Sequence, residues 1–487
     1  MNLHKEIKKA EKLFHSGQYA ELEKVCNKLL KQKSNDFQLL HILGLAQEKL
    51  GRLDEAISTL ELVIKINKGH TEAYCNLGYF YLLAQRLEEA INSCHSAIKL
   101  DHNNAEVYNN LGNALLMSQR YNDAEKAYLQ ALKVNPKKGL ALDNLGVCLM
   151  KQGRLSDAVD QFLRASEVSP SLSSVYIHLF HVLMFMHNTE DAYRVIDIGL
   201  SSGVLQPGEI LELLVGKAKI AWLTGQLSET REAIDKSQAI HTGFHSYPNI
   251  KALRRFHSYL NLLLIEREKH PELYAGVPEK AMFFVAESHC LSPSETVIQY
   301  QKQSHRILSS LITGCKAWHL SKETGNEYKT SLTLLFKALP VNTSVMLGFG
   351  EIDCRSTEGI LIAHLAGKAD YLDSTPDFLE KYVEFACQEA AVYRHNLLFY
   401  GVPAPTTTVL ARLKPETVEL FCLIVKLFNK ELERICWQRQ LDFLDVYSAT
   451  ADKIGQSNMT YHIDSHHVHP RIIPILFESY LISRASN

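Results

Sequence analysis

Glycine returns every 34 residues along the first part of this chain, at Gly44, Gly78, Gly112 and Gly146. Alanine keeps the same step at Ala56, Ala90, Ala124 and Ala158, and Pro136 and Pro170 close two of the units. Few architectures satisfy such a period. Each repeat must be one helix-turn-helix unit that cannot bury its apolar face alone and stacks on its neighbours. A missing side chain lets the two helices of a pair approach closely, which explains the glycine, and the alanines serve the same packing. Because a solenoid presents a surface, chemistry has to be sought in the rest of the chain.

Within the third unit Tyr108, Leu111 and Leu115 lie at helical spacing, and Ala124, Tyr128 and Ala131 follow on the second helix. Leu111, Gly112, Ala124, Tyr128, Ala131 and Pro136, with their counterparts one period away, resemble the tetratricopeptide consensus. The resemblance covers roughly residues 3 to 240 and is most specific over 37–170. Its flanks are weaker copies: Ala10 stands one period before Gly44 and Phe180 one after Gly146, although Ala192 keeps its register. Ala218 and Gly225 mark a seventh unit, and degenerate ends are expected where units cap the stack.

Asn76, Asn110 and Asn144 each lie two residues before a repeat glycine. Stacking would align them, and an amide offers both donor and acceptor to an extended peptide backbone. The row is similar to the asparagine ladder of the nucleocytoplasmic O-linked N-acetylglucosamine transferases, which implies a protein or peptide partner on the concave face. Three asparagines facing solvent is the plainer alternative. Ile42, and Leu179 near the same register, limit the ladder to three rungs.

The 487 residues allow two or three cores, and a formal charge of −2 carries no basic footprint for nucleic acid or an anionic membrane. No apolar run approaches the roughly 18 residues that span a bilayer, and the first residues show no signal-peptide core. Ten cysteines without a C-x-x-C pair fit reduced thiols and a cytoplasmic setting.

After residue 240 the period fades. His241 to Pro248 reads as a loop, and Ile250, Leu253, Phe256, Leu260 and Leu264 form one stripe of a connecting or capping helix within 241–279. Residues 280–487 then alternate short apolar strands, at 281–286, 309–312, 343–349, 397–400 and 441–444, with helical patterns at 377–394 and 414–439. That alternation predicts an α/β domain of three layers, a parallel sheet covered on both faces, with ligands at the carboxyl ends of its strands.

Behind those strands stand Ala286-Glu287-Ser288-His289, then Gly314, then Gly350-Glu351-Ile352-Asp353-Cys354-Arg355, and finally Asp464-Ser465-His466-His467. In order and placement they resemble the four blocks of the SGNH (GDSL-type) hydrolases, which implies a flavodoxin-like fold with no cofactor. The resemblance assigns Ser288 as nucleophile, His467 as base and Asp464 as its orienting carboxylate. The amides of Ser288, Gly314 and Gly350 would hold the oxyanion. Ala286 and Glu287 depart from the family's glycine and aspartate, and Ile352 replaces its oxyanion-binding asparagine. Glu351 in a protonated state, Asp353 or Arg355 would then reshape the site. His462, Asp464, His466, His467 and His469 also read as a metal cluster, but neither a Cys partner nor an H-E-x-x-H helix supports a metal. Cys290 is a lesser nucleophile candidate. The expected activity is O-acyl, often O-acetyl, esterase or transferase chemistry on a carbohydrate or glycoconjugate. The alternative is a tetratricopeptide scaffold carrying an inactive SGNH-like domain, and glycosyl transfer finds no Gly-rich nucleotide fingerprint after the repeats.

Overall fold

The computed structural model describes residues 3–31, 33–241, 247, 250–367 and 371–485. Met1–Gln152 with Ser156–Val175 make one compact unit, and Gly153–Leu155 with Tyr176–Asn487 make the other.

The first unit is a run of antiparallel helix pairs, among them Phe37–Lys49 with Leu53–Ile66 and Ala105–Met117 with Tyr121–Val134. Ala56, Ala90, Ala124 and Ala158 are wholly buried. Each repeat glycine faces a larger side chain of the paired helix: Leu60, Cys94, Tyr128 and Phe162 in turn. Glycine and its partner thus divide one volume between them.

A second 34-residue register runs through the turns. Gly17, Gly51, Gln85, Gln119, Gly153 and His187 all take left-handed backbone, with φ between 56° and 78°. At five of these turns the next residue's amide bonds back to the carbonyl five residues earlier, as from Arg86 to Tyr81 at 2.8 Å and Arg120 to Leu115 at 2.8 Å. That closure satisfies a free helix-end carbonyl and requires the positive φ. Because glutamine and histidine fill half of the positions, composition conceals this register. It extends the repeat from residue 17 to 187.

In the second unit, helices Pro207–Leu223, Leu227–His241 and Ile250–Lys269 precede a mixed six-stranded sheet. The expected loop after His241 lies, apart from Tyr247, outside the described residues. The strands are β1 (Lys280–Ala286), β2 (Val297–Tyr300), β3 (Gln303–Leu311), β4 (Ser344–Gly348), β5 (Asn396–Tyr400) and β6 (Asp442–Leu444), in the order β2-β3-β1-β4-β5-β6. Five are parallel, and β2 alone runs antiparallel, on the β3 edge. The expectation of an all-parallel sheet omitted β2 and began β3 six residues late. Gln301 and Lys302 both have positive φ, which makes a two-residue hairpin without the usual Asn-Gly signal.

Side chains alternate between the two faces. Val285, Val345, Leu347, Leu397 and Phe399 pack under helices Glu327–Ala338, Tyr371–Tyr393 and Pro415–Gln438. Met282, Phe284, Met346, Leu398 and Tyr400 pack against Ile472, Ile473 and Phe477. With both faces covered, the strand ends are where polar groups can gather. β1 lies between β3 and β4, so connections leave it in opposite directions and a crevice opens at its carboxyl end.

Candidate functional site

Residues from three strand ends and one distant loop meet at that crevice. Ser288 directly follows β1, Gly314 follows β3 and Gly350 follows β4. Val468 of the distant loop accepts a 2.7 Å bond from the Ser292 hydroxyl, and Ser465 of the same loop accepts one of 2.9 Å from Thr406. These ties bring His467 to Ser288, with Nε2 at 2.8 Å from the serine hydroxyl oxygen.

Asp464 fixes the imidazole. One carboxylate oxygen accepts from the amides of His466 and His467 at 2.7 Å each, and the other lies 2.7 Å from His467 Nδ1. Burial pushes the Asp464 carboxyl up, but the His467 contact and the amides outweigh it and hold it far below the usual range. An ionised Asp464 keeps the His467 proton on Nδ1 and turns the Nε2 lone pair towards Ser288. His289, His462 and His466 are all pushed down by burial, the last two to about 4, so they remain neutral near pH 7.

The other expected residues take varied places. Gly314 has φ +77°, a left-handed conformation that favours glycine, and Gly350 has φ +142° with the Phe428 ring 2.5 Å from where a Cβ would stand, so the second position requires glycine. Ile352 is buried, with no polar group to offer. Asp353 accepts from the amides of Ala317 and Trp318, at 2.9 and 3.3 Å, and so holds the segment that follows Gly314. Burial raises its pKa to about 6.

Glu351 is held ionised, so of the site-shaping alternatives the protonated Glu351 falls away. Burial pushes its pKa up, but Arg355, with Nε and Nη2 both 2.8 Å from the carboxylate, outweighs this and brings it down to about 2. Arg355 also reaches Glu358 at 3.3 Å and Glu287 at 3.7 Å. Cys290 is fully buried, which pushes its thiol well up and keeps it from acting as a thiolate.

Two features escaped sequence reasoning. The Glu287 carboxylate accepts from both the amide and the hydroxyl of Ser288. It therefore takes an amide on which an oxyanion would depend. Tyr259, from helix Ile250–Lys269, stacks on His467 with ring centroids 3.7 Å apart and planes 10° from parallel. The apolar stripe of that helix was legible, but no pattern within one helix says which ring meets a loop 200 residues away.

The histidine-rich loop does not gather on one point. His462 Nδ1 lies 2.9 Å from the Ser457 hydroxyl, His467 serves Asp464 and Ser288, and His469 Nε2 lies 2.6 Å from Glu266. Among the described residues, Glu287, His289 and Glu351 approach metal-ligand spacing, as do Glu266, His270 and His469. Arg355 already pairs with both carboxylates of the first group. In the second, His469 Nδ1 accepts the Arg471 amide at 3.1 Å, so Nε2 presents a proton and not a lone pair.

The asparagine rungs also differ from one another. Asn76 Nδ2 lies 2.8 Å from His41 Nε2, and Asn144 Nδ2 donates to Asn109 at 3.0 Å, each bridging to the preceding repeat. Asn110 is buried, and the residue 35 positions before it, the place His41 and Asn109 hold for the other two rungs, is Cys75.

Residues 37–70, 80–119 and 109–171 match models of the tetratricopeptide repeat. The N-terminal part, to about residue 170, therefore contains tetratricopeptide repeats. Over 72 residues the chain is 35% identical to a UDP-N-acetylglucosamine–peptide N-acetylglucosaminyltransferase of Caenorhabditis elegans. That stretch is 15% of this chain and only 6% of the relative's length. Among solved structures, the chain is similar to a tetratricopeptide repeat protein from Parabacteroides merdae, at 18% identity over 52% of this chain and 98% of the other, with TM-score 0.43. It is also similar to YrrB, described as a tetratricopeptide protein with an unusual peptide-binding site, at 20% identity over 39% and 95% of the two chains, with TM-score 0.32. Among the described residues no helix is long and apolar enough to cross a membrane.

Proposed function

We propose that residues 280–487 form an acyl-transfer enzyme of the SGNH hydrolase type, joined through the segment 241–279 to a peptide-binding solenoid over 1–240. The observation that carries this reading is the continuous line Asp464–His467–Ser288, with successive contacts of 2.7 and 2.8 Å. Ser288 Oγ attacks an ester carbonyl while its proton passes to His467 Nε2. The imidazolium, stabilised by Asp464, returns that proton to the leaving alcohol, and water or a second alcohol then releases the acyl group. The parallel-strand order β3-β1-β4-β5-β6, with Ser288 at the β1 end, is the arrangement expected of a flavodoxin-like hydrolase. A small cleft next to the loop that carries His467 is lined by polar Glu351, Arg355 and His466 and by apolar Val402, Val409 and Phe421. Asn76 and Asn144, with Asn110 buried between them, would line the solenoid surface that holds the polypeptide bringing this substrate.

A fluorophosphonate probe tests the reading. It should attach covalently to Ser288 in the wild type and not in Ser288→Ala, with turnover of p-nitrophenyl acetate following the same pattern. A folded wild-type protein that neither labels nor turns over would sink it.

A second reading, a scaffold whose sheet domain is inert, has two observations behind it: the Ile352 side chain supplies no donor, and Glu287 occupies the Ser288 amide. It predicts that Ser288→Ala leaves partner capture intact, while the triple substitution of Asn76, Asn110 and Asn144 abolishes it.

A further inference from the structure

We infer that helix Ile250–Lys269, which precedes the sheet domain, positions His467 through a two-point clamp made by Tyr259 and Glu266, so that the reactive geometry depends on a helix outside the strand-and-helix core. The inference rests on the proposed role of His467. The two residues are seven apart, two helical turns, and so project from one side of the helix. Tyr259 is fully buried and lies flat on the His467 ring at 3.7 Å. Glu266 lies 2.6 Å from Nε2 of His469, two residues beyond His467 in the same irregular loop. Because His469 Nδ1 accepts the Arg471 amide, the Nε2 proton is the one donated to Glu266. One contact fixes the plane of the imidazole and the other fixes the strip of backbone that carries it.

The helix is itself anchored beside the nucleophile. Tyr259, Leu260, Leu263 and Leu264 share a buried cluster with Trp222 and with Leu291, three residues past Ser288. The Trp222 indole donates to the Leu291 carbonyl at 2.8 Å. Nucleophile and base are therefore referred to one helical frame. A loop histidine has free torsions, and misplacement by about 1 Å costs on the order of 10²-fold in rate. A flat aromatic ring also excludes water from one face of the imidazole and favours the imidazolium formed when Ser288 gives up its proton. Tyr259 and Glu266 are positioning residues, since neither reaches the reacting atoms.

The test uses the full-length chain carrying Tyr259→Phe, Tyr259→Leu or Glu266→Ala. The readouts are the rate of fluorophosphonate attachment to Ser288, the melting temperature, and the far-downfield proton resonance of the His467–Asp464 hydrogen bond. Phenylalanine keeps the ring and should label within about twofold of wild type. Leucine keeps the bulk without the ring and should lose tenfold or more, with its downfield resonance broadened or absent. Glu266→Ala, at the outer end of the helix, should lose in the same direction even if Tyr259→Leu fails to fold. Wild-type labelling rates and an undisturbed resonance in the folded leucine and alanine variants would overturn the clamp. Should the wild type itself never label, acyl transfer fails while the clamp is decided by the resonance: lost in Tyr259→Leu it stands, retained it falls.

Discussion

The Ser288 hydroxyl oxygen lies 2.8 Å from His467 Nε2, although 179 residues separate them in the chain. That contact is productive only if Nε2 carries a lone pair, and Asp464 decides this by holding the Nδ1 proton at 2.7 Å. Asp464→Asn should therefore be the informative substitution. The asparagine oxygen can still take the amides of His466 and His467, so the loop keeps its shape. Its NH₂ group, however, would donate to Nδ1 and drive the histidine proton to Nε2, against Ser288. The labelling rate should fall by about 10⁴ with little change in melting temperature. A fall of less than tenfold would mean that the carboxylate does not set the tautomer.

Glu287 makes the opposite prediction. A serine hydroxyl has one proton, and here two acceptors, Glu287 and His467, compete for it. The same carboxylate also takes the Ser288 amide. Glu287→Ala frees both, and the labelling rate should rise by tenfold or more, towards the roughly 10² that one preorganised donor to the oxyanion is worth. Progress curves for wild type and variant at equal probe concentration check this. A slower variant would show that Glu287 assists the reaction instead of obstructing it.

The sequence revealed different parts of this molecule for different physical reasons. The 34-residue glycine period was plain because only small residues fit where Tyr128 and Phe162 cross a neighbouring helix. The turn register was hidden, since left-handed backbone closed by a 2.8 Å bond tolerates Gln85 and Gln119 as well as glycine. Parallel strands announced themselves as apolar runs buried on both faces, whereas β2 is an edge strand joined to β3 through a Gln301-Lys302 turn without composition cues. Ser288, His467 and Asp464 were legible because their order along the chain follows the strand ends. Tyr259, Glu266 and the ionised state of Glu351 were not, because each depends on a tertiary neighbour: His467, His469 and Arg355.

Two buried carboxylates at the site should make stability respond to pH in opposite senses. Glu351 falls from 4.5 to about 2, so its contribution is complete above pH 4.5 and is lost as pH drops through 2. Asp353 rises from 3.8 to about 6, so its contribution is complete below 3.8 and is lost as pH climbs through 6. Asp353→Asn removes only the second. The melting temperature of the variant relative to wild type should therefore rise between pH 4 and 7 and level off above. The full swing is on the order of 3 kcal/mol, from the two-unit change in a buried group. A difference that stays flat across that range would mean that Asp353 ionises as freely folded as unfolded.

The glycine register makes a graded prediction for the solenoid. A Cβ at Gly112 would stand 2.4 Å from the Tyr128 ring, and one at Gly146 would stand 2.5 Å from the Phe162 ring. Both rings are wholly buried, and the Tyr128 hydroxyl is further held by Asn113 at 2.7 Å, so neither can turn aside. At Gly78 the obstacle is the Cys94 sulfur at 2.7 Å, a single atom on a short arm. At Gly44 it is the branched end of Leu60 at 3.1 Å, which a small rotamer adjustment can relieve. Replacing a mid-helix glycine by alanine otherwise gains up to about 1 kcal/mol in helix propensity. Gly44→Ala should thus be neutral or slightly stabilising, Gly78→Ala mildly harmful, and Gly112→Ala and Gly146→Ala destabilising by about 1–3 kcal/mol through overpacking. Circular dichroism at 222 nm during urea titration reads the order directly. Equal losses at all four positions would show that the glycines are required by the backbone itself and not by the side chains opposite them.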